Sequence, residues 1–177
     1  MVRGCGVILR QLATNRNEEI AYGRLLNNRK VTMPKILEGA YQRCKVACEG
    51  RHVLMVQDSS AMGFGLNPKA GMMGPISTNQ TRGFYLHPVI CLNAQDGACL
   101  GLSHAQILQR DDDGGKDELP SLKERKRILR KKKFTEKESF RWWQSAMYSK
   151  QRLGSASQHT LIADSEADIY DLMIRSK

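Results

Sequence analysis

Two short apolar runs in this chain each stop at an aspartate, and this shared ending constrains its fold more than any other feature. The first is Val53-Leu54-Met55-Val56, followed by Gln57 and Asp58. The second is Leu161-Ile162-Ala163, which ends on Asp164 and is followed by Glu166 and Asp168 at two-residue steps. Continuous apolar runs of this length predict buried strands, and the first reads as a central strand buried on both faces. An apolar stripe at Ile169, Leu172 and Met173 then resumes at helical spacing, so Asp164 stands at a strand-to-helix junction. Taken singly, each aspartate also reads as an acid beginning a helix or turn, with Ser165 or Asp168 as the cap after the second run. Taken together, two strands with one ending point to a shared cation site at the carboxyl edge of a sheet, where ligands gather in open α/β folds. A buried carboxylate is costly unless it is paired, hydrogen-bonded or metal-bound.

The charge balance bears on the partner. Lys and Arg outnumber Asp and Glu by 28 to 18, a formal charge of +10, in 177 residues, enough for one domain with a real core. Such an excess suits a polyanion, most commonly nucleic acid. It is concentrated in Lys123, Arg125, Lys126, Arg127, Arg130, Lys131, Lys132 and Lys133, a run interrupted only by Glu124, Ile128 and Leu129. That run is either the solvated side of a helix or a surface that tracks the phosphates of double-stranded DNA. The acidic stretch Asp111–Glu118 before it reads as a solvated loop. No run approaches the length of a membrane-spanning helix, and the apolar start is too short for a secretory signal. A cytoplasmic, nucleoid-associated chain is expected. Five cysteines without a disulfide framework or a zinc spacing agree with a reducing compartment. Cys44 and Cys48 fall in an apolar helical stripe, where free cysteine acts as a small hydrophobe.

Other elements follow from periodicity and turn residues. A helix is predicted over residues 14–29, and a second opens near Thr32 with Pro34 in its first turn. Residues 61–82, rich in glycine and proline, read as a long loop. Gly83–Asn93 and Ala98–Leu108 read as a hairpin turning at Asp96-Gly97, with Pro88 marking a bulge or an edge. His87 and His104 read as ordinary sheet histidines. Thr135 and Glu138 form a capping-box pattern opening a helix whose apolar face is Phe140, Trp143 and Met147. The organisation expected is a helical segment over 1–50 and an α/β domain over 51–177.

The order of these parts, a strand with Asp58, a hairpin, a helix and a strand with Asp164, is that of a ribonuclease-H-like core. The wording goes further. The blocks Tyr22-Gly-Arg-Leu-Leu-Asn-Asn-Arg-Lys-Val31, Val56-Gln-Asp58-Ser-Ser60, Arg82-Gly-Phe-Tyr-Leu-His-Pro-Val89 and Ala163-Asp164-Ser-Glu-Ala-Asp-Ile-Tyr170 resemble, in order, blocks of bacterial DDE-type cut-and-paste transposases of the insertion-sequence-four-like group. The resemblance implies a partial ribonuclease-H-like fold, a mixed sheet with flanking helices. It implies that Asp58 and Asp164 are the first two carboxylates of a catalytic triad, ligating Mg²⁺, with Mn²⁺ as a substitute. Glu166 and Asp168 match the block outside its ligand positions. The implied partner is double-stranded DNA at transposon ends, with a homodimer or a full-length transposase as protein partner. The family's third acid, a glutamate in a Tyr-Arg-Glu-Lys type motif, lies well beyond the second aspartate, whereas this chain stops at Lys177. The expectation is therefore the front part of a catalytic domain, lacking the last strand and final helix and inactive alone. The alternative is a DNA-binding or regulatory fragment that does no chemistry.

Overall fold

The computed structural model describes residues 8–64, 73–76, 81–109, 127, 131, 133–137 and 139–164. The helices are α1 (Leu9–Leu12), α2 (Arg16–Leu26), α3 (Met33–Cys48) and α4 (Phe140–Arg152). The strands are β1 (His52–Gln57), β2 (Ser60–Gly63), β3 (Gly74–Pro75), β4 (Arg82–Asn93), β5 (Cys99–Leu108) and β6 (Gln158–Ile162). The chain divides into one unit up to Gly39 and a second from Ala40 onward. No helix among the described residues is long and apolar enough to cross a membrane.

In the first unit α2 is set by its start. The Asn15 side chain accepts the Glu18 N–H, satisfying a donor the helix itself leaves open. Glu18 in turn accepts from the Thr14 hydroxyl, from the Tyr22 hydroxyl at 2.6 Å and from the Thr14 N–H at 2.7 Å. Those bonds, the Thr14 hydroxyl foremost, hold its carboxyl down to about 2. The observed helix is shorter at both ends than the expected 14–29.

The second unit is a mixed α/β layer built on one sheet. β4 lies inside it. One edge pairs antiparallel with β1 along Val89–Asn93 and with β2 along Gly83–Leu86; the other edge pairs with β5. β6 pairs parallel with β1 on β1's far side, so the path across is β5-β4-β1-β6. The register passes unchanged from Gln57↔Val89 to Ser60↔Leu86. β1 and β2 are thus one hairpin arm, opened only at Asp58 and Ser59. The Asp96-Gly97 turn is present between β4 and β5, and Gly97 takes the positive φ of 71° that the turn requires.

Several expectations are corrected. β1 is central but is not buried on both faces: Val53, Met55 and Gln57 are buried, while His52, Leu54 and Val56 are half-exposed. Helices α3 and α4 cover one face. The expected loop over 61–82 contains β2 and β3, hidden from a periodicity reading because every residue of β2 is exposed. Pro88 lies on an interior strand, not an edge, beside a register shift between Val89 and Ile90. The expected capping box involves Glu138, which lies outside the described residues; a 3-10 turn at Phe134–Glu136 has Glu136 reaching back to the Lys133 N–H, and α4 starts at Phe140.

The buried face of α4 is also not the one expected. Trp142, Ser145, Ala146 and Ser149 face inward, with Trp143 and Met147 only partly buried. Ser149 explains the rotation, because its hydroxyl receives the Ser103 hydroxyl of β5 at 2.9 Å. Beneath the helices the main cluster is Cys44, Cys48, Val53, Met55, Val89, Cys91 and Leu153.

Candidate carboxylate site

β1 and β6 are parallel neighbours, and their last paired residues are Val56 and Ile162. Asp58 and Asp164 each follow two residues later. The two aspartates therefore stand at one level at the carboxyl ends of adjacent strands, whose backbones run about 4.8 Å apart. The row that leads to the two aspartates, Leu54 and Val56 on β1 beside Thr160 and Ile162 on β6, lies on the face away from the helices. Both are exposed. Oxygen ligands bind Mg²⁺ at about 2.1 Å, so carboxylates this placed can share one cation. Among the described residues, no group of three metal-ligating side chains within 4.8 Å includes either aspartate.

The break between β1 and β2 gives Asp58 its surroundings. Its Oδ1 accepts the Ser59 N–H at 2.6 Å, which leaves the second carboxylate oxygen for other partners. Ser59 turns to the helix-covered face. Its hydroxyl accepts from Arg141 Nε of α4 at 3.1 Å and is hydrogen-bonded to His87 Nδ1 on β4 at 2.8 Å. The buried Nε2 of His87 finds no partner among the described residues. The ring is fully buried and meets the Trp142 ring edge-on at 4.7 Å. Burial first, then the Arg141 and His104 charges, pushes His87 down to about 4, against a smaller upward pull from Asp58. His87 is neutral at physiological pH and hydrogen-bonded to Ser59. Gln57, one residue before Asp58, is buried with neither amide atom bonded. A cavity of about 420 Å³ opens beside Arg141, walled by Tyr85, Phe140, Gln106, Gln144 and Lys137.

The structure thus brings Asp58 and Asp164 together. Of the basic run, Arg127 and Lys131 are helical and exposed, and Lys133 is exposed. Lys123, Arg125, Lys126, Arg130 and Lys132 lie outside the described residues, as do Ser165, Glu166, Asp168 and the acidic stretch from Asp111 to Glu118. Ser59, His87 and Arg141 were not singled out by sequence reasoning. His87 looks like any sheet histidine until its neighbour 28 residues away is known. A comparison with models of known protein families finds none that matches the chain.

Proposed function

We propose that this chain carries the first two acids of a metal-dependent DNA strand-cleaving and strand-joining centre of the DDE transposase kind, on a ribonuclease-H-like sheet. The observation that carries the proposal is the placement of Asp58 and Asp164 at one level on neighbouring parallel strands. The strand path supports it too, since an antiparallel three-strand meander with a fourth strand parallel to the first is the order the resemblance implies. The donor set is hard oxygen, which suits Mg²⁺ or Mn²⁺. When bound, such ions polarise a phosphodiester and lower the pKa of an attacking hydroxyl or water. The chain's own part is to hold Asp58 in place through the Ser59 N–H, and Ser59 through Arg141 and His87. Exposed Arg127, Lys131 and Lys133 supply cations for the DNA backbone, and nucleoid association follows from that partner.

Because the described residues assemble a pair and not a triad, the expected outcome is binding without chemistry. The purified chain should bind one Mn²⁺ measured by calorimetry. Asp58→Asn and Asp164→Asn should each weaken it about 10-fold or more, while Asp96→Asn in the hairpin turn leaves it unchanged. Equal binding by all three variants would remove the site. The second reading, a DNA-binding fragment without chemistry, draws on the exposed basic residues alone. It is favoured if DNA binding persists while both aspartates prove irrelevant to Mn²⁺.

A further inference from the structure

The helix-covered face of the sheet holds a second cluster that the carboxylate site does not use. Cys44 and Cys48 lie one turn apart on α3, and Cys91 comes from β4. All three are free thiols with no exposed surface. Their Sγ atoms lie within 4.8 Å of one another, and Cys44 and Cys48 are 3.8 Å apart. Among the described residues no other three histidine, cysteine or acidic side chains are so placed. The helix seats this deeply because Gly101, paired with Cys91 on β5, has no side chain: a Cβ there would stand 3.2 Å from that of Cys44. The same glycine holds a φ of 128°, which side chains rarely tolerate. Met55, the register partner of Cys91, brings a thioether into the same cluster.

Sulfurs about 3.8 Å apart are the edges of a coordination shell with metal–sulfur bonds of about 2.3 Å. A structural zinc site is closed by four ligands, usually cysteine or histidine, and this cluster has three cysteines. Val53, Val89 and Leu153 pack around them. A dry, all-sulfur set of low coordination number selects a soft ion. Net charge in such a place is costly, so a monovalent ion set against one thiolate fits best. Hydrogen bonding inside the cluster, Cys44 first, lowers the Cys91 thiol against the effect of burial. Cys44 is pushed up by its bond to Cys91 and by burial, and Cys48 mainly by burial.

We propose that Cys44, Cys48 and Cys91 form a sulfur-only site for a soft monovalent cation of the copper(I) class. Loading exchanges one thiol proton of the cluster, released to solvent, for the metal–sulfur bond, with no change of oxidation state. The test titrates the reduced chain anaerobically with Cu⁺ against a chromophoric chelator. One equivalent should be withheld from the chelator, with affinity falling about 100-fold or more in Cys91→Ser and Cys48→Ala and unchanged in Cys99→Ser, the exposed thiol. Full retention by both core variants, or retention of Zn²⁺ in preference to Cu⁺, overturns the proposal. If circular dichroism shows the variants unfolded, X-ray absorption of the loaded parent chain decides: sulfur-only ligation supports the site, and nitrogen or oxygen ligation sinks it.

Discussion

His87 ties the fold to pH. Its pKa in the folded chain is about 4 against 6.5 for an ordinary histidine. Between those values the unfolded chain binds a proton that the folded chain refuses. Stability from this residue is therefore complete above about pH 6.5, falls as the pH drops, and is gone below about pH 4. The whole effect is at most about 3 kcal/mol. Urea unfolding followed from pH 7 to pH 4 should show that loss, and His87→Gln should flatten this part of the curve. Arg141→Gln acts on the same chain of bonds from the other end. It removes a donor from Ser59 and a positive charge that depresses His87, so the loss on acidification should end at a higher pH and be smaller in total. A curve unchanged by Arg141→Gln would mean that the Arg141 charge does not set the His87 value.

At the scale of elements, the two faces of the sheet should answer differently to truncation. Leu153→Ala, at a position with no exposed surface, should cost about 2–5 kcal/mol. Leu54→Ala, on the partly exposed face, should cost about 1 kcal/mol, because part of the side chain already meets water. Equal losses in urea midpoints would show that something covers the second face. Gly83→Ala should act locally: a Cβ there would stand 2.0 Å from the Met62 carbonyl oxygen, closer than β2 and β4 can tolerate. Hydrogen exchange should speed at Ser60–Gly63 while β1 stays protected. These contrasts also separate what was legible in the chain from what was not. The ends of β1 and β6 could be read, because an apolar run meeting an acid is a local signal. Their adjacency could not, since register is set between residues far apart in sequence. β2 was missed because all four of its residues are exposed, and the inward face of α4 because it buries Ser145 and Ser149, which no apolar period can mark. Cys91 joined Cys44 and Cys48 only through the packing of α3 on β4.

The whole molecule carries +10, and its interaction with DNA should be judged by salt dependence as much as by affinity. Replacing Lys131, Lys132 and Lys133 by Gln should lower the slope of log affinity against log salt by about two to three units, one counterion per lost phosphate contact. An unchanged slope would return the run to a solvated surface. The sheet path has a further consequence, in time. β4 meets β5 through a five-residue turn, Ala94–Ala98, so that hairpin closes early. β6 meets β1 only across a span such as the 108 residues between His52 and Thr160, which hydrogen-bond at 2.8 Å. Closing the longer loop costs about 2–3 kcal/mol more in chain entropy, and contacts of such separation form slowly. Asp58 is in place once β1 and β2 pair with β4, but Asp164 arrives only when β6 docks. In a refolding experiment, then, Mn²⁺ uptake should lag behind burial of the hairpin core, and the carboxylate pair is the last feature of the fold to exist.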